Sequence, residues 1–130
     1  LGDLRITPLL VDHSAFDAYM FLIEGDGLRI LHTGDFRNHG PRGKALYPVL
    51  RRYVGQVDWL FSDMICYPDR LLETVQEWLA ADACRNVVCT LKFQAQTDHE
   101  TARAFAAIPG GRLLHLSCNK HELTFVKLAD

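Results

Sequence analysis

The sequence has no apolar run long enough to cross a bilayer. Its longest runs, such as Ala18 to Ile23, fall far short of the roughly 20 residues a membrane helix needs. It has no excess of positive charge either: 14 basic residues face 16 acidic ones, for a formal net charge of −2. No overall basic field draws in a polyphosphate, so contact with RNA requires a local patch. The four cysteines, Cys66, Cys84, Cys89 and Cys118, contain no C-x-x-C pair. With no signal peptide ahead of them, they read as reduced thiols, packed as small core residues of a cytoplasmic protein. Internal repeats, low-complexity tracts and a G-x-G-x-x-G loop ahead of Asp63 are also missing. What remains is 130 residues, 48% hydrophobic and 23% charged. That is the balance of a globular domain able to bury a core without staples.

Periodicity and punctuation divide the chain into elements. Ile6 to Val11 is an apolar run ending at Asp12-His13 and reads as a strand. Ala18 to Glu24 and Leu28 to His32 flank Gly25-Asp26-Gly27, a strong hairpin signal because these residues accept positive φ. Asn38 to Gly43 reads as loop. Ala45 to Tyr53 reads as a short helix, with Pro48 best accommodated in its first turn. Val57 to Met64 reads as a buried strand of parallel type, and Asn86 to Phe93 as the next strand. Between them, Asp69 to Ala83 sets Leu71, Leu72, Val75, Trp78 and Leu79 on one helical face. Thr97 with Glu100 forms a capping box that opens a helix through Ile108. Arg112 to Ser117 and Leu123 to Leu128 close the chain as two strands. Trp59 and Trp78 read as core anchors.

Asp63, Lys92 and Glu122 stand at strand ends in this reading. In open α/β sheets, ligands bind beyond the carboxyl ends of the parallel strands. Asp63 and Lys92 belong at that edge, and Glu122 joins them if the last strand runs antiparallel. The segment Val57-Asp58-Trp59-Leu60-Phe61-Ser62-Asp63-Met64 is followed by Trp78-Leu79, Thr90-Leu91-Lys92-Phe93 and His121-Glu122-Leu123-Thr124. In order and spacing this set resembles the C-terminal half of FtsJ-like ribosomal RNA 2′-O-methyltransferases, over residues 56–130. The resemblance implies a Lys-Asp-Lys-Glu tetrad acting on a ribose 2′-hydroxyl of RNA with S-adenosylmethionine. It makes Asp63 the tetrad Asp, Lys92 the second Lys and Glu122 the Glu. Lys92 is then the base, oriented by the two carboxylates.

His13 and Asp35 end two other predicted strands, and imidazole and carboxylate are good ligands for zinc-like ions. Thr7-Pro8-Leu9-Leu10-Val11-Asp12-His13-Ser14, Asp17-Ala18 and His32-Thr33-Gly34-Asp35-Phe36-Arg37 resemble the metallo-β-lactamase superfamily on its ribonuclease J-like side, over residues 5–44. That resemblance implies that His13 binds one metal and Asp35 bridges two. The other histidines show no ligand spacing and read as surface or hydrogen-bonded side chains.

The two resemblances meet near Gly55. The expectation is an α/β fold with a mixed, largely parallel sheet. A β-hairpin unit over residues 1–55 precedes half of a Rossmann-like methyltransferase over 56–130, in one compact domain. Shared between two families, 130 residues imply a recombined or truncated chain in which neither site is complete. The expected parent activity is ribose 2′-O-methylation. The alternatives are a metal-dependent hydrolase or nuclease and a non-catalytic scaffold.

Overall fold

The computed structural model describes residues 2–11, 18–34 and 41–129, with side chains in the first helix described from Pro48 onward. Strands β1 (Arg5–Leu10), β2 (Tyr19–Gly25) and β3 (Leu28–His32) form an antiparallel meander. The β2–β3 turn falls where the sequence predicts it. Asp26 and Gly27 take φ of 50° and 75°, the left-handed pair that a two-residue hairpin turn demands.

The chain then alternates: α1 (Pro41–Val54), β4 (Val57–Ser62), α2 (Pro68–Ala80), β5 (Cys84–Lys92) and α3 (His99–Ala106), followed by β6 (Gly111–Leu114) and β7 (Glu122–Lys127). All seven strands join one sheet in the order β1-β2-β3-β4-β5-β7-β6. The fold is α/β with a mixed sheet, but the expectation of a largely parallel one is corrected. Among the described residues, only β3–β4 and β4–β5 pair in parallel; the other four pairings are antiparallel. A parallel pair needs a crossover of about a dozen residues or more. The links within β1-β2-β3 and between β6 and β7 are too short for that. The sheet also continues through the junction near Gly55, because β3 pairs directly with β4.

Two right-handed crossovers that step the same way along a sheet put their helices on the same face. So α1 and α2 share a face, and α3 joins them, its Phe105 ring lying 5.0 Å from Phe125 of β7. From the sheet, Met20, Leu22, Leu31, Leu60, Val87, Leu91 and Phe125 point into this layer. From the helices, Leu50, Val54, Leu71, Val75, Trp78 and Phe105 meet them. Packing is tight enough to fix one glycine: a Cβ on Gly111 would stand 2.6 Å from Phe125 Cε2.

Several local expectations shift. The first helix starts at Pro41 and carries Pro48 inside it. Burial of Leu50 and Val54 holds the helix together across the proline, and Pro41 takes the first position, where a missing N–H costs nothing. The cap of α3 is Asp98, not Thr97: Thr101 N–H donates to Asp98 Oδ1 at 2.9 Å and the Thr101 hydroxyl to Oδ2 at 2.6 Å. Thr97 Oγ1 instead lies 2.9 Å from His121 Nε2. β6 stops at Leu114, because Asn119 Oδ1 accepts from Leu116 N–H at 2.7 Å and turns the chain. Trp78 is a core anchor, whereas Trp59 is half-buried on the helix-free face, stacked on Phe61 at 5.6 Å. Cys66, Cys84 and Cys89 are buried as expected, but Cys118 is exposed.

Candidate functional site

Strand direction decides which residues meet. β1 and β3 both oppose β2, and β3, β4 and β5 run parallel. The carboxyl ends of β1, β3, β4 and β5 therefore line one edge of the sheet. β7 runs against β5, so its first residue reaches that edge too.

Asp63 directly follows β4, Lys92 ends β5 and Glu122 opens β7. Lys92 and Glu122 are paired in register. Side chains directly opposed on antiparallel strands have Cβ atoms about 4.5–5.5 Å apart. Lys92 Nζ lies 3.0 Å from Asp63 Oδ1 and donates to the Asp63 carbonyl at 3.1 Å. One ammonium thus holds both the carboxylate and the backbone of the loop leaving β4. The Asp63 side chain is 48% exposed and that of Lys92 19%. A pair so open to water adds little stability, on the order of 0–1 kcal/mol; its effect is to place charge. Alternation puts Asp63, Lys92 and Glu122 on the helix-free face of the sheet.

His13 and Asp35 lie outside the described residues. Val11 N–H donates to Ala18 O at 3.0 Å, extending the β1–β2 ladder, and Thr33 N–H donates to Phe61 O at 2.9 Å, extending β3–β4. Gly34 then turns with φ of 65°. A Cβ there would stand 3.2 Å from Tyr19 O, so the residue before Asp35 has both a steric and a conformational reason to be glycine. Gly34 N–H donates to His32 Nδ1 at 3.1 Å. By register, Gly34 is level with Asp63 on the neighbouring strand.

An open cleft of about 500 Å3 adjoins this edge, lined among others by Tyr67, Asp69, Phe93, Gln94, Gln96 and Asp98. These residues follow β4 and β5. Their signal in the sequence is only that position, and sequence reasoning did not single them out as a site. Among the described residues that line it, the cleft has aromatic, amide and carboxylate walls and no basic side chain. Hydrogen bonds from the Thr101 hydroxyl and backbone hold the Asp98 carboxyl below its usual range. At Cys66, next in sequence to Tyr67, burial and then the neighbouring Asp69 push the thiol up to about 12.

Among the described residues, no three His, Cys, Asp or Glu side chains gather as a metal site, and no helix is long and apolar enough to cross a membrane. No protein-family model matches the sequence, and no curated protein matches it.

Proposed function

We propose that this protein is a metal-dependent hydrolase whose site lies at the carboxyl edge of the sheet. One observation carries the reading. β1, β3 and β4 run in the same direction, so the chain heads for His13 and Asp35 from the edge where Asp63 stands. His and Asp side chains are the donor set of zinc-like ions, and three protein ligands complete the protein side of an open catalytic site. The resemblance makes His13 and Asp35 the ligands, and Asp63 is a carboxylate at the edge toward which their strands run. Such an ion, when bound, supplies Lewis acidity and a water that ionises near neutral pH. The chain's own part is positional. Gly34 sets the exit from β3, and Lys92 fixes the Asp63 carboxylate and loop. Glu122 brings a second carboxylate beside Lys92. The ribonuclease J-like wording of residues 5–44 suggests RNA phosphodiesters as the substrate class.

The test is the metal content of protein purified without chelator, together with cleavage of an RNA oligonucleotide. About one zinc equivalent or more is expected, falling at least tenfold in His13→Ala and Asp35→Ala along with cleavage. Less than half an equivalent, unchanged in His13→Ala, rejects the reading.

A second reading takes Asp63, Lys92 and Glu122 themselves as the centre, as half of a ribose 2′-O-methyl-transfer site. A lysine between two carboxylates at this edge supports it. The described residues do not fit S-adenosylmethionine. Gly25, Gly27, Gly55, Gly110 and Gly111 all lie toward the opposite edge, and Gly34 alone does not make a cradle. Titration calorimetry at high micromolar S-adenosylmethionine separates the readings: heat of binding supports methyl transfer and its absence removes it.

A further inference from the structure

Two side chains control how the chain leaves β3. Thr33 follows that strand and is 0% exposed, and Ser62, the last residue of β4, is buried beside it. Thr33 Oγ1 donates to the Gly34 carbonyl at 3.0 Å. The Ser62 hydroxyl lies 3.4 Å from Thr33 Oγ1. Thr33 N–H is held by Phe61 O of the neighbouring strand at 2.9 Å. Gly34 N–H is held by His32 Nδ1 at 3.1 Å, and the His32 ring in turn stacks on Phe61. Both polar groups of the Gly34 backbone are therefore taken by side chains of the two residues before it.

From this we infer that Thr33 is a positioning residue for the metal ligand: its hydroxyl, acting through the Gly34 carbonyl, fixes the direction in which the chain leaves toward Asp35. The inference rests on the hydrolase reading, which takes Asp35 as a ligand. Covalent geometry is the first argument. The Gly34 carbonyl belongs to the peptide group that joins Gly34 to Asp35. That group is planar, so a hydrogen bond to its oxygen orients the whole plane. Backbone freedom is the second. Glycine accepts either sign of φ, and Gly34 stands at 65°. A glycine is a swivel unless its own polar groups are held, and here His32 and Thr33 hold them. The chemistry of position 33 is the third. Packing does not call for a hydroxyl there. Valine has nearly the same shape, and burying a hydroxyl costs free energy that its hydrogen bonds largely offset. A metal ligand, by contrast, must be held to within about 0.5 Å. Groups that orient a ligand are worth about 10–100-fold in metal affinity. Ser62 adds a tie between strands. It stands one residue before Asp63, so its contact with Thr33 links the exits of β3 and β4.

The zinc affinity of the full chain, measured by competition with a chromophoric chelator, tests this. Thr33→Val is expected to raise the zinc Kd about tenfold or more, and Thr33→Ser, which keeps the hydroxyl, to leave it within about threefold. Far-ultraviolet dichroism and the urea midpoint of the metal-free variants report folding separately. If Thr33→Val does not fold, Thr33→Ala set against Thr33→Ser makes the same comparison, because both lose the methyl group and only one loses the hydroxyl. Equal affinity in wild type and Thr33→Val overturns the inference and leaves the hydrolase reading standing. An equal loss in Thr33→Ser and the hydroxyl-free variant also overturns it, because packing of the methyl group is then the cause. A wild-type chain that takes up no zinc removes the hydrolase reading, and this inference falls with it.

Discussion

At the scale of single residues, side-chain type was readable in advance and partnership was not. Asp63, Lys92 and Glu122 were visible as charged residues at the ends of apolar runs. That Lys92 grips Asp63 at 3.0 Å while lying opposite Glu122 depends on register, which no single residue encodes. The cysteines make the same point. All four looked like small core residues, yet Cys118 lies in the exposed turn between β6 and β7. Burial raises the Cys66 and Cys84 thiols from an ordinary value of 9.0 to about 12, and Cys89 still further. The sign follows from linkage. The folded state holds these protons more tightly, so their contribution is whole below about pH 9. It erodes as pH rises from there toward 12, because the unfolded chain gains by ionising. Stability measured by urea denaturation is therefore expected to fall steadily above pH 9. One thiol of four is expected to react rapidly with a disulfide reagent at pH 8, and all four only in denaturant.

At the scale of elements, hairpins and amphipathic faces were the most legible features. The Gly25-Asp26-Gly27 turn and the stripe of Leu71, Val75 and Trp78 lie where the pattern puts them, because each depends on neighbours within a few residues. Boundaries were less legible, since capping is a local competition. Asp98 won it over Thr97 by satisfying Thr101 twice, and that left Thr97 for His121. Helix α1 is the clearest disagreement. A proline inside a helix removes a hydrogen bond and crowds the preceding turn, at a cost of about 3 kcal/mol. Tertiary burial of Leu50 and Val54 outweighs that cost. Pro48 itself is exposed, so Pro48→Ala loses no packing. It is expected to stabilise the protein by about 1–3 kcal/mol, seen as a higher urea midpoint at unchanged slope.

At the scale of the whole molecule, the described residues form one layer of three helices on a seven-stranded sheet, with Trp78 buried in the core between them. Trp78 is 1% exposed. Trp78→Ala is expected to cost about 3–5 kcal/mol in chemical denaturation, whereas Trp59→Ala on the open face is expected to cost the isolated chain less. What the sequence determined by itself was local. It specified the alternation of strands and helices, the β2–β3 turn, the buried stripe of α2 and the identity of the charged strand-end residues, all set by interactions within a few residues of chain. Tertiary structure decided the rest. Connection length made most of the sheet antiparallel. The common direction of β1, β3, β4 and β5, with β7 opposed, drew residues from separate segments to one edge. Two crossovers of the same hand placed α1 and α2 on one side, and so left the aromatic face bare. Strand direction, register and crossover hand are relations between distant segments, and they are settled only when those segments pack.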